Sequence, residues 1–312
     1  MIPIPSVAVL DIGSNSIKVL LAARAPDGHL TALLVRALEA RISAGISRES
    51  PRLGEPGMAR GLAAIQSLLA DTAPLQPRST VLVATSAVRD AANGADFRAR
   101  VRAATGHDIR ILTGEAEANL IGRGLLCDPR LSHLQDFHVY DLGGGSLECL
   151  AFVHRKIAQA ASLPLGCVRL TERLVADPEQ PFAASAGAAI AACVRQELAR
   201  AAFAPGSPAA VIGTGGTLAT ARRVLAARAD LAWEQTDATV AVAELRGLLA
   251  RLGALPLAER KKIPGLPPER ADVFPAALAT LVALAEIGGF DAYQHSLYNL
   301  RWGVAAELLE NG

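Results

Sequence analysis

The sequence is poor in aromatic residues, which fill 4% of its 312 positions, and it carries almost no excess charge. A formal net charge of +1 supplies no molecule-wide basic field for nucleic acid or an anionic membrane surface. Any polyanionic ligand must therefore meet positive charge that is concentrated locally. The cysteines Cys127, Cys149, Cys167 and Cys193 are far apart and form no metal-ligand pair. They read as buried thiols in a reducing cytoplasm. No Gly-x-x-x-x-Gly-Lys-Ser/Thr run occurs, which excludes a P-loop nucleotide site. The opening Met1-Ile2-Pro3-Ile4-Pro5 has neither a basic region nor a cleavable apolar stretch, so a cytoplasmic chain without a secretory signal is expected. The most hydrophobic run, 273–290, is interrupted by Pro275, Thr280 and Glu286. That pattern predicts a buried helix rather than a membrane span.

What is present is the composition of a folded α/β protein: 51% hydrophobic and 20% charged residues, with abundant alanine in helix-like stretches. The length suits two domains of ordinary size better than one core. An internal repeat supports that division. Val7 to Leu21 and Phe137 to Ala151 each read as a strand, then Asp-apolar-Gly-turn-Ser, then a second strand. Two such hairpins predict two copies of one fold.

The turns carry the chemistry. Gly13, Ser14, Asn15 and Ser16 in the first copy match Gly143, Gly144, Gly145 and Ser146 in the second. Glycines there are expected to adopt φ > 0 and to bring successive N–H groups close to an anion, with serine hydroxyls as further donors. Asp11 and Asp141, at the strand ends, suit a divalent cation held beside phosphate, largely through water. A third turn, Gly213-Thr214-Gly215-Gly216-Thr217, lies between a strand at 209–212 and a helix at 218–228. A helix N-terminus of this kind offers free N–H groups to an anion. Between the copies, a strand at 80–85 and a short helix at 86–93 are expected. A helix at 96–104 with Asp96 as its cap, a strand at 109–112 and a helix from Thr113 to about Leu126 follow.

These motifs, taken in order, resemble the exopolyphosphatase / guanosine pentaphosphate phosphohydrolase family. The resemblance rests on Asp11-Ile12-Gly13-Ser14-Asn15-Ser16, Thr85-x-Ala87-x-Arg89-x-Ala91-x-Asn93, Glu115-Ala116-Glu117-Ala118 and Asp141-Leu142-Gly143-Gly144-Gly145-Ser146-x-Glu148. Leu165-Gly166-Cys167-Val168, Gly213-x-Gly215-Gly216-Thr217, Pro264-Gly265-Leu266-x-x-Glu269-Arg270 and Leu300-Arg301-x-Gly303 extend it over nearly the whole chain. Ala116, Asn119 and Leu297 depart from the family pattern.

The resemblance implies two ribonuclease-H-like domains of the actin/hexokinase/Hsp70 superfamily, a mixed five-stranded sheet in each, and an interdomain cleft. Residues 1–125 with 296–312 would form the first domain and 126–295 the second, a last helix at about 295–310 returning to the first. It also implies hydrolysis of phosphoanhydride bonds in polyphosphate or guanosine pentaphosphate (pppGpp), with Mg²⁺ or Mn²⁺ held by Asp141 and Asp11. Glu117 matches the position at which the family activates water, Arg89 would clamp phosphate oxygens, and Glu148 would orient metal or water. A solvated pair of Arg89 with Asp90 or Asp96 is the bland alternative.

Neither nucleic acid nor membrane is expected as a partner, and a homodimer is possible. Two other functions fit the same turns: an ATP-dependent small-molecule kinase, and a non-catalytic polyphosphate or alarmone sensor. Because the longer relatives' helical domain has no counterpart here, a short binding groove is expected. Phosphate release should then favour short polyphosphate or nucleotides, and a turnover that rises steadily with chain length would contradict this.

Overall fold

A computed structural model describes residues 5–44, 51–206 and 208–310. The chain gathers into two units, Met1–His133 with Tyr298–Gly312, and Leu134–Leu297. The division falls later than 125/126 and 295/296, where the sequence places it, for local reasons. Asp128 caps the turn Pro129–Leu131, whose Leu131 is buried, so this turn stays with the helix before it. At the other end the Ser296 N–H donates to Gly213 O and stays with the second unit.

The first unit opens with a meander of β1 (Ser6–Ile12), β2 (Ser16–Arg24) and β3 (Leu30–Glu39). The helix α1 (Glu55–Thr72) and the strand β4 (Ser79–Ala84) follow, then α2 (Ser86–Arg89) and α3 (Gly94–Thr105). The strand β5 (Ile109–Ile111) and the helix α4 (Gly114–Leu126) come next. The sheet order is β3-β2-β1-β4-β5, with β1, β4 and β5 parallel. Every residue of β1 is buried, as expected for a central strand covered on both faces. Leu10, Ile12, Ile17 and Val19 pack on one side with Ile65, Leu68, Phe97 and Val101. The cap of α3 differs from the expected Asp96: the helix starts at Gly94 behind Asn93, whose amide instead exchanges two bonds with the Leu53 backbone.

The second unit repeats the plan. β6 (Phe137–Leu142), β7 (Leu147–Val153) and β8 (Lys156–Leu163) form its meander, followed by α5 (Cys167–Leu174) and α6 (Ala184–Arg200). Then come β9 (Val211–Thr214), α7 (Gly216–Arg228), β10 (Thr239–Ala241) and α8 (Val242–Gly253). α9 (Leu257–Arg260), α10 (Phe274–Gly288) and β11 (Ala292–His295) complete it. The sheet has six strands in the order β10-β11-β9-β6-β7-β8, not the expected five. The sixth is β10, three residues paired antiparallel to β11 at the edge. Without β10, the order and directions match those of the first sheet. The run at 273–290 is the almost wholly buried α10, stopped by Gly289 at φ 64°. Among the described residues no helix is long and apolar enough to cross a membrane.

The last helix, α11 (Leu300–Glu310), belongs to the first unit and starts after β11 rather than at residue 295. It packs on α4 and β1, and the Arg78 guanidinium donates to Leu308 O at 2.6 Å. The α4–α11 contact is close enough to require glycine on both sides. A Cβ on Gly303 would stand 1.8 Å from Leu120 O, and one on Gly124 2.1 Å from Asn299 O. All four cysteines are free thiols; Cys149 and Cys167 are buried, whereas Cys127 and Cys193 are half-buried.

The glycines give a paired prediction. Gly303→Ala forces the α4–α11 backbones apart and should cost about 3 kcal/mol of stability. Gly247→Ala, in the exposed face of α8 with nothing within 4 Å of the added Cβ, should stabilise by about 0.5–1 kcal/mol. Urea denaturation midpoints of the two variants check both signs.

Candidate active site

In each unit the parallel strands end at one sheet edge, and the sequence motifs collect there. Such edges, outside the carboxyl ends of strands, are where open α/β sheets bind ligands. In the first unit the turn Gly13–Ser16 follows β1, Thr85 and Ser86 follow β4, and Thr113 to Glu117 follow β5. Ser14 Oγ lies 3.3 Å from Ser86 Oγ, and both side chains are buried. Thr113 caps α4 by accepting from the Ala116 N–H. That start turns Glu115 outward and puts Glu117 on the buried face with Ala118, Leu120 and Ile121.

A carboxylate on an apolar helix face needs a partner, and Arg89 supplies it. Arg89 Nη1 donates to Glu117 Oε2 at 2.7 Å and to Leu112 O at 3.1 Å, and its Nε reaches Asp90 Oδ1 at 3.3 Å. The Glu117 side chain is 6% exposed and that of Arg89 22%. The bland pairing with Asp90 therefore exists, but the shorter bond runs to Glu117. A carboxylate at this place is a group that can accept a proton from water.

The hairpin turns are held from behind. Cys167 N–H donates to Gly143 O at 3.0 Å, Val168 N–H to Gly144 O at 2.9 Å and Arg169 N–H to Gly144 O at 3.2 Å. The first N–H groups of α5 thus occupy the carbonyls of the turn. In a trans peptide the C=O and the following N–H point in opposite directions. Gly144 and Gly145 N–H therefore point away from α5, as successive donors suited to an anion. Gly166 makes the approach possible, since a Cβ there would stand 2.3 Å from Gly144 and Gly145 backbone atoms. The first unit uses the same device: Ser43 N–H and Oγ hold Ser14 O, and Ala40 and Arg41 N–H hold Asn15 O. The expectation of φ > 0 at Gly13 and Gly143 to Gly145 is not met. In the second turn, the backbone against Gly166 leaves glycine its use as a residue without a side chain rather than as a left-handed one.

The third turn packs on the second. Gly215 is left-handed at φ 90°, and a Cβ there would meet Asp141 Oδ1 at 2.3 Å. Gly216 begins α7 and Thr217 is buried behind Leu142 O. Gly213 stands apart from these donors. It lies inside β9, where a Cβ would strike Leu218 Cδ1 at 1.9 Å, so its need for glycine is one of packing. Arg270, from the Pro264-to-Arg270 string, donates through Nη1 to Gly216 O at 2.7 Å. The string itself was the signal for it, yet nothing local in the sequence ties that arginine to a turn so far away.

The acids differ between the copies. In the β-ladders Asp11 faces Lys18, whereas Asp141 faces Glu148. Glu148 is buried and accepts from Ser162 Oγ at 2.8 Å. Like charges directly across a ladder are unfavourable, a cost that a bound cation relieves. Among the described residues no group of three or more His, Cys, Asp or Glu side chains could hold a metal. Two carboxylates suffice, however, for an ion such as Mg²⁺ that keeps waters and takes the rest of its shell from phosphate. Asp141, Glu148 and Asp11 each carry a carboxylate of the kind that such an ion takes.

Residues 21–311 match the Ppx/GppA phosphatase family. The chain belongs to this family. An exopolyphosphatase from Cytophaga hutchinsonii ATCC 33406 is 22% identical over 98% of each chain, with a TM-score of 0.87. A Ppx/GppA family member from Aquifex aeolicus is 24% identical over 99% of each chain, with a TM-score of 0.79. At these identities the likeness is one of fold: two ribonuclease-H-like domains. In this Ppx/GppA phosphatase the Arg89–Glu117 pair is an acid–base contact that a stability measurement can isolate. Arg89→Ala takes the guanidinium from a buried carboxylate and should cost about 2 kcal/mol, much of it recovered in the double variant with Glu117→Gln. Arg98→Ala, which breaks an exposed pair with Asp108, should leave the denaturation midpoint in place.

Proposed function

We propose that this Ppx/GppA phosphatase hydrolyses phosphoanhydride bonds, releasing terminal orthophosphate from inorganic polyphosphate or converting pppGpp to ppGpp. The observation that carries the reading is Glu117: an acid on an apolar helix face, ion-paired to Arg89, at the sheet edge that also presents the Gly13–Ser16 turn. A structural pair would need no such location, and a pure binder of anions gains nothing from a buried negative charge beside its donors.

Phosphoryl transfer to water asks a protein chiefly to hold the phosphates, balance their charge and place the nucleophile in line. Each unit has donors for the holding: the turn N–H groups with the hydroxyls of Ser14 and Ser16 in the first, and the turn N–H groups, the Ser146 hydroxyl and the start of α7 in the second. Glu117 accepts the proton of the attacking water, and Arg89 fixes one oxygen of that carboxylate while adding positive charge beside the transferred group. A divalent ion beside Asp141 and Glu148, Mg²⁺ or Mn²⁺, would neutralise phosphate charge and stabilise the leaving oxygen. The family match and the fold shared with the Cytophaga exopolyphosphatase and the Aquifex family member support the phosphatase reading.

A phosphate-release panel with tripolyphosphate, long polyphosphate, pppGpp and ATP tests it, using wild type and Glu117→Ala with Mg²⁺ present. The expected result is release from at least one of the first three, and a kcat lower by about a thousandfold in the variant. Calorimetric affinity for tripolyphosphate should change by less than about threefold, because the lost interaction belongs to the transition state. A variant that keeps about a tenth of wild-type turnover, or phosphate found on an acceptor rather than in water, would overturn the proposal.

A further inference from the structure

The matched turns share one more feature, which no motif of the chain marks. Behind each stands an arginine that uses its Nε. Arg169, in the first turn of α5, donates from Nε to Gly145 O at 2.9 Å. Arg41, just after β3, donates from Nε to Asn15 Oδ1 at 3.1 Å, and its own N–H holds Asn15 O. Each follows the third strand of its meander, so the two arginines occupy corresponding places in the duplicated fold. Arg41 takes this place at φ 44°, a conformation that costs a non-glycine residue energy and persists only where its surroundings hold it.

Arg169 has the clearer task. The backbone of α5 captures the carbonyls of Gly143 and Gly144 but not that of Gly145. If Gly145 O were left to rotate, the Ser146 N–H on the other side of the same peptide would rotate with it. The third donor of the turn would then be lost. A guanidinium Nε at 2.9 Å completes what the helix backbone begins. A charged donor also binds a carbonyl more strongly than a neutral one.

We infer that Arg169 is a positioning residue. Through Gly145 O it fixes the turn with the Gly144, Gly145 and Ser146 N–H groups toward an anion, while the Gly143 N–H closes the turn on Ser146 O. Arg41 does the corresponding work for the turn of the first unit. The inference rests on the phosphate-binding reading of these turns for its functional consequence, but its structural part stands by itself. Arg169→Met removes the donors while keeping an apolar stem of similar length, and Arg169→Lys restores a charged donor.

The test measures amide exchange of the peptide spanning 143–150 without ligand, and KM and kcat for tripolyphosphate with Mg²⁺. The loop amides of Arg169→Met should exchange about tenfold faster, with KM about tenfold higher and kcat within about threefold of wild type. Arg169→Lys should lie nearer to wild type in both readouts. Unchanged exchange in Arg169→Met overturns the inference, even if KM rises, since that would make Arg169 a direct contact. Equal exchange in the Met and Lys variants overturns it too. If wild type neither binds nor hydrolyses tripolyphosphate, the proposed function fails by itself, and the exchange comparison still decides for or against the positioning role.

Discussion

A peptide unit cannot offer its N–H to an anion unless its carbonyl, on the opposite side, has something else to do. A free carbonyl is an acceptor that repels the ligand, and its rotation takes the donor away. In both units this is solved by the segment that follows the third strand: residues 40–43 behind Ser14 and Asn15, and the start of α5 behind Gly143 and Gly144. The meander therefore has a purpose beyond the sheet. β3 and β8 carry the chain back to the turn and deliver its anchor. The first N–H groups of α5, elsewhere a place for an anion, are spent here on holding the groups that would meet one.

That arrangement also shows why the turns were legible and their glycines were not. Strand, Asp, small-residue turn and strand are local in sequence, and both hairpins lie at the positions the repeat gives them. The need for glycine comes from elsewhere in the chain. Gly166 lies against Gly144 and Gly145, and Gly215 against the Asp141 carboxylate. Periodicity and turn propensity carry no information about such distant approaches. Gly213 shows the same limit from the other side: it reads as part of a phosphate turn but is a strand residue shaped by Leu218. The sixth strand, β10, has only three residues at a sheet edge and so no periodic signal, and its partner β11 is a four-residue strand that ends where the last helix is expected to begin.

The acid–base pair was legible as residues but not as a contact. Arg89 has Asp90 beside it and Asp96 within a helical turn or two, and the sequence gives no reason to prefer Glu117 over either. What separates them is burial. Asp90 and Asp96 are both exposed, whereas Glu117 sits among Ala118, Leu120 and Ile121 on the inner face of α4. A charge in that place is tolerated only when paired, so the helix periodicity that buries Glu117 also selects its partner.

The two hairpins, alike in backbone, have diverged in charge. Asp11 lies opposite Lys18 in its ladder. Asp141 meets Glu148, and Ser162 contributes a hydroxyl to Glu148 but no charge. The turn and its backbone anchor are thus kept in both copies, while the residue opposite the aspartate is a base in one and an acid in the other. The repeat therefore predicts the shape of the turn and not the charges around it, because cross-strand partners lie outside the repeated motif.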